Sequence, residues 1–359
     1  MKILILEDYS GLGRLLKEAF ERNGCEVSLV ASRQTLSLGK PPDYILTRRK
    51  TGMFSKLEVR LRLLKYLLLM PRVSVVLILN QSIIFQGLAF LILTILQLKS
   101  DQRFLSVCGL DSVLVSEKIF KELPGTYDKG LIDKDFVRRH QSKSKYRLLK
   151  KIVRISSGVI PISHSFHFGW NISEFKDKVL PPIGVPFPCE AKVLLRGAKA
   201  QGSGNVTAVH FSSRADKGTE LISKAFEKIN LSYGEKFKAK INERMDIEEF
   251  LDELWQNDIF VDRVTGSTYG TINSLIALSM GKIVITKVIP EELSAFGITQ
   301  CPVVMVNQNT SSIVTGLEEA FRLCVSNKAD QKENCIKFLQ TYHNPEKIGA
   351  RYLEIFSAK

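Results

Sequence analysis

Residues 258–286, DIFVDRVTGSTYGTINSLIALSMGKIVIT, carry the pattern best suited to chemistry on an anion. An apolar strand end (Ile259, Phe260, Val261) runs into a loop with Gly266 and Gly270. An apolar helix follows through Ile272, Leu275, Ile276 and Leu278, and Gly281–Lys282 leads to a second strand, Ile283–Thr286. Backbone N–H groups at such a helix start face whatever lies above the strand ends, and the helix dipole favours negative charge there. Glycine admits a phosphate or sugar close to the main chain, because no Cβ intervenes. The same unit also occurs as a plain βαβ connection with nothing bound.

A second such stretch begins at 206. The strand VTAVHF leads into Arg214, Lys217, Gly218 and Thr219, then a helix with Leu221, Ile222, Ala225, Phe226 and Ile229 on one face. Two cations before a helix start can hold a diphosphate by charge while the helix donates N–H groups. Surface charge beside a helix is the plainer reading. Asp111 follows the apolar run from 104, where it either lines a crevice at a strand's end or caps the next helix. His164 and His167 follow the strand GVIPIS, with no cysteine or acid nearby in sequence. They read as loop histidines, and no metal site is expected.

The elements positioning these residues alternate strand and helix. KILIL at 2–6, a loop with Gly11 and Gly13, a helix and the strand Glu26–Ala31 make an opening βαβ unit. Glu7–Asp8 also suits a phosphate-receiving signalling domain, but Tyr44–Thr47 then runs into Arg48–Arg49–Lys50 without the required aspartate. Residues 73–98 hold no charge. A membrane span is possible there, but Asn80, Gln81, Ser82, Gln86 and Gly87 favour a buried strand at 74–79 and a buried helix at 83–98. Later strands are expected at 238–241, 258–261 and 303–306, and helices at 246–256, 311–328 and 345–357. The Pro-rich, then Gly/Ser-rich stretch 180–204 reads as an interdomain linker. The fold class is therefore α/β with two doubly wound, Rossmann-like domains facing a cleft.

Charge divides the chain unevenly. Residues 1–190 hold 30 Lys/Arg against 17 Asp/Glu, and residues 191–359 hold 21 against 20. An anionic partner is thus expected for the first half. Residues 48–72 combine Arg48, Arg49, Lys50, Lys56, Arg60, Arg62, Lys65 and Arg72 with Leu57, Leu61, Leu64 and Leu68 at helical spacing. Such a helix lies on an anionic membrane or packs on a core with its charges solvated. Residues 136–173 contain no acid and eight cations within 138–154. No nucleic-acid motif accompanies them, and no nucleic-acid partner is expected. Six scattered cysteines without a CxxC pair suggest buried thiols in a reducing compartment, and Met1 leads straight into a strand, so no signal peptide is expected.

Taken in order, MKILIL with its glycine loop, FLSVCGLDSVL, VIPIS, LPPIGVPFP, VHFSSRADKGTELISKAFEKI and residues 258–286 resemble a GT-B glycosyltransferase of the broad retaining family 4. The resemblance implies an acceptor-binding domain over 1–190, a nucleotide-sugar-binding domain over 191–344, and a closing helix, 345–359, crossing back to the first domain. Arg214 and Lys217 (with Gly218) fall where the family places its diphosphate-binding cations, and Gly270 and Thr271 in the loop that approaches the donor. Asp111 and His164 are the candidates for chemistry near the cleft, and Gly11 and Gly13 form the acceptor-side glycine loop. Neither cofactor nor metal is implied; the partners are a nucleotide-sugar, a membrane-bound or glycan acceptor and an anionic membrane surface. The implied setting is peripheral, at the cytoplasmic face of a membrane. Two departures stand out. The family's ribose-binding glutamate falls at Leu275 or Ile276, so either Asn273 or Ser274 replaces it or donor binding is altered. Cys108 stands where many relatives carry a histidine.

Overall fold

Apolar β-branched and leucine runs such as ILIL at 3–6 and VSVVLI at 73–78 can be buried on both faces only inside a covered parallel sheet. In the computed structural model they form the centre of one. The structure describes residues 1–32, 40–47, 53–84, 86–109, 111, 113, 114, 116, 119, 122, 142–189, 205–212, 217–243, 245–265, 270–326 and 328–358. They form two units, the first of Met1–Leu123, Asp135–Pro186 and Pro345–Lys359, the second built on Phe187–Asn344.

The first unit holds β1 (Lys2–Leu6), β2 (Glu26–Ala31), β3 (Tyr44–Ile45), β4 (Val73–Ile78), β5 (Ser100–Val107) and β6 (Gly158–Pro161). They pair in the order β3-β2-β1-β4-β5-β6, all parallel. Its helices are α1 (Leu12–Arg22), α2 (Met53–Leu69), α3 (Ala89–Lys99), α4 (Lys143–Ile155) and α5 (His164–Asn171). α2 packs on α3, and α3 on α4. Right-handed crossovers place these three on one sheet face and α1 on the other. The charge-free run 73–98 is therefore a buried strand and an eleven-residue helix. That helix starts at Ala89, later than the sequence suggests. The Asn80 side chain accepts the Ser82 N–H at 2.8 Å and opens short 3-10 turns, Gln81–Ile83 and Gln86–Leu88. No helix among the described residues is long and apolar enough to cross a membrane.

The second unit holds β7 (Val206–Phe211), β8 (Phe237–Asn242), β9 (Ile259–Val261), β10 (Ile283–Thr286) and β11 (Val303–Met305), parallel in the order β11-β10-β9-β7-β8. Its helices are α6 (Thr219–Tyr233), α7 (Ile247–Gln256), α8 (Ile272–Ser279), α9 (Pro290–Ala295), α10 (Thr310–Ser326) and α11 (Lys328–Tyr342). Ala208, Val261 and Ile285 meet Ile222, Phe226, Ile313 and Leu317 in its core. The Pro-rich stretch is not slack where it is described. The Leu180 and Ile183 N–H groups donate to Val159 O and Pro161 O, and Phe187, 1% exposed, donates its N–H to His343 O at 2.7 Å.

A last helix, α12 (Pro345–Ser357), packs in the first unit on α1. Its Tyr352 ring meets Phe20 edge-on at 5.6 Å, and Phe356 lies 4.8 Å from Phe104. Asn23 ties the pair by donating to Glu346 O at 3.0 Å. Gly349 permits the close approach, since a Cβ there would sit 2.6 Å from Ala19 O.

Candidate functional site

In open parallel sheets, ligands bind beyond strand C-termini where the strand order reverses. In the second unit that point lies between β7 and β9, and the two glycine-bearing stretches of the sequence meet there. Beyond β7, Lys217 is 5% exposed and donates from Nζ to Phe211 O at 3.2 Å. Gly218 follows with φ +79° as the N-cap of α6. A side chain at that position would be strained, and its Cβ would sit 2.5 Å from Val264 Cγ2. The Val264 N–H donates to Lys217 O at 3.1 Å, so the two loops are stitched together. No side chain caps α6, which leaves its first-turn N–H donors to face an anion.

Beyond β9 lies Asp262, 2% exposed, which receives the hydroxyls of Thr271 and, at 2.7 Å, Ser274. Burial pushes its carboxyl up. The charges of Lys217 and Arg263 and the two hydroxyls outweigh that and hold it below the usual carboxylate range. Thr271 also caps α8 by accepting the Ser274 N–H at 3.0 Å. His210, fully buried, sits between the loops: Nδ1 is 2.8 Å from Val261 O and Nε2 is 3.0 Å from Thr219 Oγ1. Since Val261 O can only accept, Nδ1 carries the proton and Nε2 accepts from Thr219. Burial lowers the imidazole pKa to about 4.

That value gives a test. A base whose folded pKa lies below its unfolded value stabilises the fold at neutral pH and loses that contribution as pH falls from about 6.5 toward 4. Stability of the second unit will fall by about 3 kcal/mol across this window. Urea melts of His210→Gln at pH 7 and pH 4.5 will show a smaller fall than those of the wild type.

Of the residues singled out in sequence, Lys217, Gly218, Thr271 and Ser274 fall around this switch point. Gly270 stands beside Thr271, with its Cα facing the His343 ring. Asn273 is half-buried in the first turn of α8. Arg214 and Gly266 lie outside the described residues. Leu275 and Ile276 are fully buried in the core, and Ser274 is spent on Asp262. Sequence reading passed over Asp262, His210 and Thr219 as site residues. The signal for His210 and Asp262 was a polar residue within or directly after an apolar strand, and for Thr219 a hydroxyl at the start of the helix.

In the first unit the strand order reverses between β1 and β4. The loop after β1 holds Glu7 and Ser10 at φ +83° and +54°, and Gly11 at +87°. Two non-glycine residues in this region within one loop cost of order 1–3 kcal/mol each. Burial raises the Glu7 pKa, although Ser32 Oγ and N and Asp8 N all donate to its Oε1. Asp8 pairs with Arg14 at 2.9 Å, both buried, at the start of α1 beside Gly13. Asp111 caps a turn, with Oδ1 taking the N–H of Val113 and Leu114 at 2.8 and 3.0 Å, while Oδ2 accepts from Trp170 Nε1 at 3.0 Å. Burial raises its pKa to about 6. His164 opens α5, so the two histidines stand on a helix, not a loop, with ring centroids 6.2 Å apart. The helix starts there because Ser163 Oγ accepts the Phe166 N–H. The Cys108 thiol, raised by burial, donates to Leu79 O at 3.1 Å.

No protein-family model matches the sequence, and no curated protein matches it significantly. Solved structures do. A glycosyltransferase from Rickettsia africae covers 99% of this chain over 98% of its own, at 14% identity and TM-score 0.58. Sucrose-phosphate synthase from Thermosynechococcus elongatus covers 100% of both chains at 12% identity and TM-score 0.59. The Anabaena protein HepE, solved in complex with UDP and glucose, covers 100% of both at 12% identity and TM-score 0.57. The fold is GT-B. The expected fold class of two parallel α/β domains is borne out by both sheets and by these likenesses.

Proposed function

We propose that this chain is a glycosyltransferase moving a sugar from a nucleotide-sugar donor to a glycan or lipid-linked acceptor. The observation that carries the reading is the buried Lys217, set against Asp262 at the uncapped start of α6, at the strand-order reversal of the second unit. A diphosphate there would meet a lysine and helix N–H groups, which stabilise the leaving diphosphate without needing a metal. UDP is the first nucleotide to test, because HepE of the same fold was solved with it. Arg214 would add a second cation. Retention of anomeric configuration is inferred from the family resemblance. The strained glycine loop of Glu7–Gly11, with Gly13, would meet the acceptor, with Asp111 beyond β5 and His164 at the start of α5 beyond β6. The basic first half suits a membrane-bound acceptor in bacterial-type surface polysaccharide or lipopolysaccharide assembly, at the inner face of the membrane.

A second reading, a binding or regulatory protein without transfer, is favoured by one observation. The aliphatic side chains at Leu275 and Ile276 are buried and offer no acid to a ribose. Thermal unfolding against UDP-, GDP-, TDP- and CDP-sugars tests both readings. At about 100 times Kd, a true donor stabilises by roughly 2.7 kcal/mol. Nucleotide release from the matching donor, with membrane extract as acceptor, supports transfer. Stabilisation without release favours the second reading, and a flat panel contradicts both.

A further inference from the structure

α2 is apolar on two faces. Val59, Leu63, Leu67 and Met70 are buried in the first unit. Leu57, Leu61 and Leu68, the leucines whose spacing stood out in the sequence, face solvent instead, at 50%, 57% and 55% exposure, with Leu64 half-buried among them. The i, i+4, i+7, i+11 spacing puts these four on one stripe, and exposed Arg60 and Lys65 flank it on either side. α3, packed beside α2, exposes Phe90 at 81% and Leu98 at 70%. Among the described residues, seven of the eleven exposed large hydrophobics lie on these two helices, so the apolar surface is concentrated and not scattered. α4, packed on α3, adds Lys143, Arg147, Lys151 and Arg154, all exposed at i, i+4, i+8, i+11. Its opposite side, Leu148, Leu149, Ile152 and Val153, is buried.

We propose that this α2–α3–α4 layer is a docking face for an anionic lipid bilayer. The leucines of α2 and the Phe90 ring enter the boundary between headgroups and acyl chains, and the α4 cations rest on lipid phosphates. Charge complementarity selects this occupant. A second copy would set cations against cations, whereas an anionic surface meets them all with the opposite charge. The inference rests on the membrane-acceptor part of the proposed function and names the surface that would serve it.

The test is co-sedimentation of the full chain with vesicles of phosphatidylcholine alone or mixed with phosphatidylglycerol. The expected result is binding to the mixed vesicles that weakens with salt. Arg147→Gln with Lys151→Gln should weaken it about fivefold per charge removed, on mixed vesicles only. Leu61→Glu with Phe90→Glu, both at exposed positions, should weaken binding at least tenfold. No binding to mixed vesicles, or equal binding by all variants, would overturn the proposal. So would a concentration-dependent dimer that Leu61→Glu dissolves, which assigns the face to a second copy. Titration of UDP, GDP, TDP and CDP into the same samples separates the two claims: a nucleotide bound without vesicle binding sinks the docking face alone, and vesicle binding with none of the four bound sinks the transferase reading alone.

Discussion

Asp262→Ala will destabilise the second unit by about 3–5 kcal/mol, the cost of leaving one half of a buried charged pair behind. The side chain is 2% exposed and does two things at once. It balances the Lys217 and Arg263 charges, and it accepts the Thr271 and Ser274 hydroxyls. Alanine removes the acceptor of the half-buried Thr271 and buried Ser274 hydroxyls and leaves the Lys217 charge unbalanced. Asp262→Asn keeps the shape and one accepting oxygen but loses the charge, so it should fall between alanine and wild type. The two tryptophans, Trp170 and Trp255, lie one in each unit. Urea melts of a Trp170→Phe background therefore report the second unit through Trp255. A loss under 1 kcal/mol for alanine would mean that Lys217 does not depend on this carboxylate.

Phe356→Ala will have an effect of similar size in the other unit, about 3–5 kcal/mol for a fully buried ring. Phe356 is 2% exposed and packs on Phe20, Phe104 and Tyr352 at 5.9, 4.8 and 6.0 Å. Phe20 and Phe104 are far away in sequence, so the last helix closes the first sheet's outer layer. In a Trp255→Phe background the Trp170 transition should shift to lower urea. In the complementary background the Trp255 transition should stay in place. A shift of both transitions together would show that the two units unfold as one.

Much of this architecture was legible because buried strands advertise themselves. ILIL after Lys2, VSVVLI, VTAVHF and IVIT are runs of strand length without Lys, Arg, Asp or Glu, and each lies in a central or near-central strand. What was missed lacks that signature. β3 has two residues at a sheet edge, too short for a period. α9 is six residues long, started by Pro290. α11 buries Gln331, Cys335, Phe338 and Leu339 behind an otherwise polar sequence, so its apolar stripe is thin. On α2 the regular leucine spacing drew the eye to the exposed stripe, while the buried stripe of Val59, Leu63, Leu67 and Met70 is equally regular. Periodicity shows that a helix has an apolar face but not which of two such faces turns inward. In the site, Lys217 and Gly218 stood out by their place before a helix. Asp262 did not, because its partners lie 9 and 12 residues away and meet it only once α8 is wound.

The central claim is that Lys217 and the start of α6 hold a nucleoside diphosphate. Calorimetric titration of UDP, then of GDP, TDP and CDP, into the wild type and Lys217→Met tests it most directly, with circular dichroism to verify that the variant is folded. The account predicts saturable binding of one nucleotide by the wild type and at least roughly tenfold weaker binding by the variant, the loss of one charge-assisted hydrogen bond. Equal affinity in both proteins, or no heat with any of the four, would contradict it.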